Sequence, residues 1–185
     1  NPISVTQFAI NSVTYTVGNP ATTAGVGTLI INADGSFTFT PEINYNSSAP
    51  TTITYTISDG SLTTSATLTF TVSPVNDAPV AYNDTFSTPE DVVLNGNVLT
   101  NAISNSIGPD SDVDVDPLTV TQFVIGGDIT SHLPASTATI PGKGTLRINA
   151  DGSFVFTPEN NYNGSVPTIT YTISDGNLPA TATLT

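Results

Sequence analysis

Four carboxylates fall within seven residues in the run Asp110-Ser111-Asp112-Val113-Asp114-Val115-Asp116, and no basic residue stands near to neutralise them. Ionised carboxylates only accept hydrogen bonds and repel one another at this spacing, so the run becomes favourable when a hard cation takes several of their oxygens as ligands. Calcium is the expected ion, with Asp110, Asp112, Asp114 and Asp116 as its first candidate ligands. The run is not an EF-hand. Counted from Asp110, the sixth position is Val115 where glycine is required, and the twelfth is Thr121 where a bidentate glutamate belongs. The plain alternative is an acidic loop that is merely solvated.

Other chemistries find less support. His132 is the single histidine, lies in a poorly repeated stretch and has no Cys or evident Ser partner, so no triad is indicated and a surface histidine is expected. Paired carboxylates can hydrolyse glycosides, but one of them needs an apolar cleft, and this chain has no Trp to build a sugar platform. Lys143 invites an isopeptide reading, yet Val26 holds the corresponding place in the first half. Gly126-Gly127 reads as a turn and not as a phosphate loop. The chain is expected not to be an enzyme.

Composition narrows the partners. Lys and Arg total 2 against 15 Asp and Glu, a formal net charge of -13 in 185 residues. Nucleic acid and anionic membrane surfaces both call for basic patches, so neither is an expected partner, and cations are favoured. With no Cys there is neither a disulfide nor a thiolate site, which leaves oxygen ligands. No run of about 18 apolar residues and no charged-then-apolar leader is present, so no membrane insertion is expected.

The elements that must position the acidic run come as two copies. Pro2-Ile3-Ser4-Val5-Thr6-Gln7-Phe8 alternates apolar and polar residues like a half-buried strand and recurs as Pro117-Leu118-Thr119-Val120-Thr121-Gln122-Phe123. Gly27 to Glu42 recurs from Gly144 to Glu159, each time with an Asp-Gly pair between alternating apolar positions, a strong hairpin signal. Asn44-Tyr45-Asn46 returns as Asn161-Tyr162-Asn163, its tyrosines expected to pack at a sandwich corner. Ile53 to Gly60 returns from Ile169 to Gly176. A period near 116 residues is a whole domain, and Thr-, Val- and Tyr-rich segments punctuated by turns spell a β-sandwich without helices. The alternation predicts a first core of Leu29, Ile31, Phe37, Phe39, Ile53, Tyr55, Ile57, Ala66, Leu68, Phe70 and Val72, with Thr67, Thr69 and Thr71 facing water. The second is Leu146, Ile148, Phe154, Phe156, Ile169, Tyr171, Ile173, Ala182 and Leu184.

Two prolines punctuate Ser73-Pro74-Val75-Asn76-Asp77-Ala78-Pro79-Val80-Ala81, a short, semi-rigid link. Beyond it a strand is expected near Thr85-Phe86-Ser87, a turn at Pro89-Glu90-Asp91, and a return through Val92-Val93-Leu94 and Val98-Leu99 that brings the acidic run beside the link. Counting strand directions puts the Asp151-Gly152 and Asp175-Gly176 turns at the same pole, so Asp175 joins the ligand candidates although Asp-Gly is first of all a turn former. Glu42, Asn44 and Asn46 of the first copy are expected to face that pole from the other side.

Val75-Asn76-Asp77-Ala78-Pro79, Asn83-Asp84 with Glu90-Asp91, Gly96-Asn97-Val98-Leu99, the Asp112/Asp114/Asp116 run before Leu118-Thr119-Val120, and Tyr171-Thr172-Ile173-Ser174-Asp175-Gly176 resemble the cadherin-like, Ig-like tandem repeats of giant bacterial surface adhesins. The resemblance covers essentially all of both copies. It implies an all-β chain of tandem Ig-like (cadherin-like) Greek-key β-sandwich domains. Residues 1–75 are expected to form a partial repeat lacking its first strands and 76–185 a repeat with its last strand truncated, joined by the linker at 73–81. It implies type I (RTX-type) secretion to the bacterial surface, calcium between or beside repeats, and a part in attachment or biofilm formation. Asn76, Asp77 and Asp84 enter the ligand set through it, because the Asn-Asp-Ala-Pro linker and the Asp-x-Asp run are similar to cadherin calcium motifs.

The implied role is a calcium-stiffened spacer whose partners are neighbouring repeats. Two alternatives stand beside it. A sandwich face bearing Tyr82 recognises cell-surface polysaccharide or protein, or the chain self-assembles into a filament by strand donation. In the family, loops usually pass from Val-Leu directly to Asn-Asp, whereas here Asn101-Ala102-Ile103-Ser104-Asn105-Ser106-Ile107-Gly108-Pro109 intervenes, which leaves the choice among the aspartates open. Asn1 stands where the second copy has Asp116.

Overall fold

The computed structural model describes residues 2–100 and 108–185, and of residues 48–50 the main chain alone. Most of the insertion after Leu99, and Asn1, lie outside the described residues. The chain separates into two compact units, Asn1–Val75 and Asn76–Thr185. Every described element is a β-strand, and the paired strands of every sheet run antiparallel.

The first unit contains β1 (Ser4–Ile10), β2 (Val13–Thr16), β3 (Ala21–Thr23), β4 (Gly27–Ile31), β5 (Phe37–Pro41), β6 (Ser47–Ser58) and β7 (Thr63–Val72). They make one sheet in the order β2-β1-β6-β7 and a second in the order β3-β4-β5. The apolar residues of β4 and β6 turn inward on alternate positions, as the pleat requires, and those of β1 do so on either side of a register shift between Val5 and Gln7, meeting in a core of Val5, Phe8, Ile10, Ala21, Leu29, Ile31 and Ile53.

The second unit continues with β8 (Leu94–Asn97), β9 (Thr119–Ile125), β10 (Ser131–His132), β11 (Thr137–Ile140), β12 (Gly144–Ile148), β13 (Ser153–Pro158), β14 (Ile169–Ser174) and β15 (Pro179–Leu184). Its sheets run β10-β9-β14-β15 and β11-β12-β13-β8, so the chain changes sheet after β8, β10 and β13 and non-consecutive strands become neighbours. Inner-face residues of both sheets share one core, including Val98, Val120, Phe123, Ile140, Ile148 and Phe154. This is a β-sandwich.

The predicted hairpins form in register, Leu29 opposite Phe39 and Leu146 opposite Phe156. Their turns are closed by the aspartates: Asp34 Oδ1 accepts the Ser36 N–H and hydroxyl at 2.9 and 2.7 Å, and Asp151 Oδ1 those of Ser153 at 3.0 and 2.6 Å. Gly35 and Gly152 follow at φ of 87° and 79°, a conformation open to glycine at little cost.

All nine predicted core residues of the second unit are buried. The first unit departs from expectation. Leu29, Ile31 and Ile53 are buried, but Phe39, Tyr55, Ile57, Leu68, Phe70 and Val72 are half-buried, Ala66 is exposed and Phe37 is 48% exposed. The physical reason is coverage, because β13 is flanked by β8 whereas β5 is the last strand of its sheet. Thr67, Thr69 and Thr71 do face solvent.

The expected strand at Thr85-Phe86-Ser87 is reduced to separate contacts running parallel to β15: Asp84 N–H donates to Thr183 O at 2.7 Å, Thr185 N–H to Asp84 O at 2.9 Å and Phe86 N–H to Thr185 O at 2.9 Å. The turn at Pro89-Glu90-Asp91 is present, with Val92 N–H donating to Pro89 O. His132 is also not a surface group. It is half-buried in β10, its ring stacked on Phe123 with centroids 5.1 Å apart, and its Nε2 is buried without a partner.

Candidate metal centre

The acidic run lies between β8 and β9 and is fastened at its start. Asp110 N–H donates to Leu99 O at 3.0 Å, while Val80 and Ser111 exchange both main-chain hydrogen bonds at 2.8 and 3.0 Å. From there the side chains alternate in an unusual sense. Asp112, Asp114 and Asp116 are half-buried, whereas Val113 and Val115 are 52% and 87% exposed. Apolar side chains have thus been placed in water so that carboxylates can face the protein, an arrangement that the hydrophobic effect opposes. Val115 also sits at φ 65°, a left-handed conformation that β-branched residues rarely adopt.

Main-chain donors hold the inward carboxylates. Asp112 Oδ1 accepts the N–H of Asp114 at 2.8 Å and of Asp116 at 3.4 Å, but its Oδ2 is buried with no hydrogen-bond partner. Asp114 Oδ2 accepts the Asp77 N–H at 2.8 Å. Asp175 divides its oxygens. Oδ1 closes its own turn on the N–H groups of Asn177 and Leu178, both at 2.6 Å, and Oδ2 accepts Asn76 Nδ2 at 2.8 Å. The Asn76 amide and the N–H groups of Leu178 and Asn177 hold the Asp175 carboxyl below the usual carboxylate range. Asn76, Asp77, Asp112, Asp114, Asp116 and Asp175 therefore belong to one hydrogen-bonded group.

Asp84 and Asp110 lie elsewhere, in the interior. Asp84 is fully buried, and its Oδ2 is 2.9 Å from the Tyr171 hydroxyl, which also reaches Tyr82 O at 2.8 Å. Asp110 Oδ1 accepts the Tyr82 N–H at 2.7 Å, and its Oδ2 is buried without a hydrogen-bond partner. Burial, with the Asp84 charge added to it, pushes the Asp110 carboxyl up to about 6. Burial and the two carboxylates drive the Tyr171 phenol far above its ordinary value, so it stays a neutral donor. Sequence reasoning placed Tyr171 in the core but missed its hydroxyl as the anchor of Asp84. A tyrosine among Ile residues on an inward face carries that signal, because a buried phenol needs a partner. Asn177 was missed too. Its amide donates to Asn76 Oδ1 at 3.3 Å.

The side chains of the run are oxygen acceptors, the kind a hard cation takes, with no basic side chain engaged beside them. Both basic side chains are engaged away from the run, Lys143 Nζ with the Tyr162 hydroxyl and Ser165 O at 2.9 Å each, and Arg147 Nε with Asn149 Oδ1 at 3.1 Å. Asp112 Oδ2 is an orphaned anionic oxygen that no protein donor satisfies. Among the described residues no three Asp, Glu, His or Cys side chains form a metal-holding cluster by themselves. A calcium ion here would complete its shell from amide, carbonyl and water oxygens, as this ion commonly does.

The comparisons with known proteins bear on both units. Residues 76–185 match the family model of the bacterial cadherin-like domain, and residues 7–73 that of the cadherin-like domain. No curated protein matches the chain. Among solved structures, an endo-fucoidan hydrolase of glycoside hydrolase family 107, MfFcnA4, aligns at 15% identity and a TM-score of 0.35 over 98% of this chain, which spans 23% of that hydrolase. A chimeric titin Z1Z2 aligns at 11% identity and a TM-score of 0.29, over 99% of this chain and 80% of that one. Among the described residues no helix is long and apolar enough to cross a membrane. Cadherin-like domains are typically non-catalytic structural modules that commonly bind calcium, and the bacterial ones are usually extracellular or surface-exposed. With its second unit matched from end to end and its first matched over most of its length, the chain belongs to the bacterial cadherin-like domain family.

Proposed function

We propose that this chain is a calcium-rigidified extender of a secreted or surface-anchored bacterial adhesin that serves attachment or biofilm formation. The observation that carries the reading is Asp112 Oδ2, buried and unpartnered in a run whose aspartates face inward at the expense of two exposed valines. Calcium supplies the charge that offsets carboxylate repulsion and the unmet acceptor there. In this reading Asp112 and Asp114 lead with carboxylate oxygens, main-chain and water oxygens complete the shell, and Asp116, Asp175, Asn76 and Asp77 stand in the hydrogen-bonded group around them.

The mechanical consequence follows from those last two residues. Asn76 is tied to Asp175 and Asp77 to Asp114. Fixing the run therefore fixes the end of the linker to the second unit and shortens the stretch that can bend. Extracellular modules of this kind bind calcium at about 10⁻⁴ to 10⁻³ M, so millimolar calcium outside a cell fills them.

Calcium titration by calorimetry, with melting curves in calcium and in chelator, tests the reading. Submillimolar binding and a raised melting temperature, both weakened in Asp112→Asn/Asp114→Asn, are expected. Equal melting in calcium and chelator would leave the run merely solvated and end the proposal.

A further inference from the structure

An asparagine followed by glycine is an amide poised for cyclisation, because the glycine N–H reaches the asparagine carbonyl carbon with no side chain in its path. The chain has two such steps, Asn95-Gly96 and Asn163-Gly164. The fold demands both glycines. A Cβ at Gly96 would stand 2.5 Å from Phe154 Cε1, and Gly164 holds φ 150°, where a Cβ would also come within 3.2 Å of Tyr162 Oη. Both asparagines are exposed, so exposure does not distinguish the steps. The main chain does. Asn95 and Gly96 pair with Val155 and Phe154 in the β8–β13 ladder. Gly164 lies outside the strands, and its N–H has no acceptor among the described residues. In the equivalent loop of the first unit Ser47 stands where the second has Gly164.

The loop that carries Asn163-Gly164 is held at its base. The Tyr162 hydroxyl donates to Ser165 O at 2.6 Å, and Lys143 Nζ donates to both of those oxygens at 2.9 Å each. A second set of bonds fastens the loop to the turn at Pro89-Glu90-Asp91. Asn161 N–H donates to Asp91 Oδ1 at 2.8 Å, and Asn163 Nδ2 donates to Glu90 Oε2 at 3.3 Å. Two carboxylates thus hold the loop through its donors, and the Asn163 amide is one of those donors.

We propose that Asn163 is a site of spontaneous deamidation and that its conversion releases the loop from the Glu90–Asp91 turn. Gly164 N attacks Asn163 Cγ and closes an imide ring, while the Cγ–Nδ2 bond breaks and ammonia leaves with the proton from Gly164. Water then adds to either imide carbonyl. The ring reopens as aspartate or, with the main chain lengthened by a methylene, as isoaspartate. No enzyme, oxidant or cofactor enters the balance. Both products replace an amide donor with an acceptor-only carboxylate facing Glu90, so an attraction becomes a repulsion. Isoaspartate also lengthens the main chain inside the span that the Tyr162–Ser165 bond closes. The glycine that the fold requires at 164 therefore makes this tie a one-way, time-dependent one.

The test stores the intact chain in neutral buffer, then unfolds it and digests it with trypsin, whose cut after Arg147 separates Asn95 from Asn163. Peptide mass spectrometry, with enzymatic methylation of isoaspartate, reads each site. Residue 163 is expected to convert about tenfold or more faster than residue 95 in the folded chain, and at a comparable rate in urea, where the β8–β13 ladder is gone. Faster amide exchange at Asn161 is expected in the stored protein and in freshly made Asn163→Asp. Stored Asn163→Gln, whose longer side chain still donates but does not close this ring, should show neither conversion nor faster exchange. Three results would overturn the proposal. One is no conversion at residue 163 in the folded chain. Another is equal conversion at 95 and 163 while folded, which would make it a property of the dipeptide and not of the loop. The third is conversion at 163 with exchange at Asn161 unchanged, which would remove the release.

Discussion

Asp110 shows how far a carboxylate's role depends on its surroundings. Only Ser111 separates it from Asp112 in the run's alternation, yet it lies against Tyr82 and beside Asp84 in the interior. Two anionic groups there disfavour each other, so Asp110→Asn, which keeps an acceptor for the Tyr82 N–H, is expected to raise the melting temperature in chelator. Allowing for the solvent that still screens this group, the gain is about 1 kcal/mol, read by thermal or urea unfolding. Asp59 is the opposite case. The Leu62 and Ser61 N–H groups hold its carboxyl below the ordinary range. A folded-state value below the unfolded one contributes stability that is present above the unfolded value, about 3.9, and is lost as pH falls through the folded value. Acid titration of the first unit's unfolding should therefore flatten in Asp59→Asn, whose side chain can still accept but not titrate. The candidate ligands were legible as residue types, since alternate aspartates read directly from the sequence. The division between a loop group and a buried pair was not legible, because it depends on where Tyr171 brings its hydroxyl.

Strands were the most readable elements. Period-two alternation and Asp-Gly turns located the long hairpins, and all nine positions predicted for the second core from the alternation are buried, although that core also takes in Val98, Val120, Phe123, Ile125, Ala138 and Ile140. The failures have a common cause in tertiary cover. Phe37 and Phe154 occupy the same place in the same pattern, and only the presence of β8 separates an exposed ring from a buried one. Short elements such as β10 were also unreadable, since two residues carry no period. At this scale Gly96→Val should drive a side chain into Phe154 and Phe86 and loosen β8 from β13. The expected cost is about 1 to 3 kcal/mol, seen as a lower urea midpoint and faster amide exchange at Val155 and Phe156. Tyr171→Phe should cost about 1 to 3 kcal/mol by leaving Asp84 short of a buried donor, with the strand order unchanged by NMR.

At the scale of the whole chain the two units differ in how well each closes. The second buries an extensive core, and the first leaves Phe37 and much of the surrounding apolar face in partial contact with water. Calorimetry should resolve two transitions, the first unit melting below the second, with calcium moving only the upper one because the proposed ligands all belong to residues 76–185. Coincident transitions that shift together would refute that assignment. The basic residues have a separate consequence, since the single lysine and single arginine of the chain both lie on the β11–β12 hairpin. Arg147 stands within β12, paired on one side with Thr137 and on the other with Val155, and Lys143 is anchored to Tyr162 and Ser165. A trypsin-like protease, which cuts after basic residues, therefore has two cleavage points in the chain: Arg147, which needs β12 to leave both neighbours, and Lys143, in the β11–β12 turn with its side chain tied down. Scarcity of basic side chains thus amounts to scarcity of places where such a protease can begin.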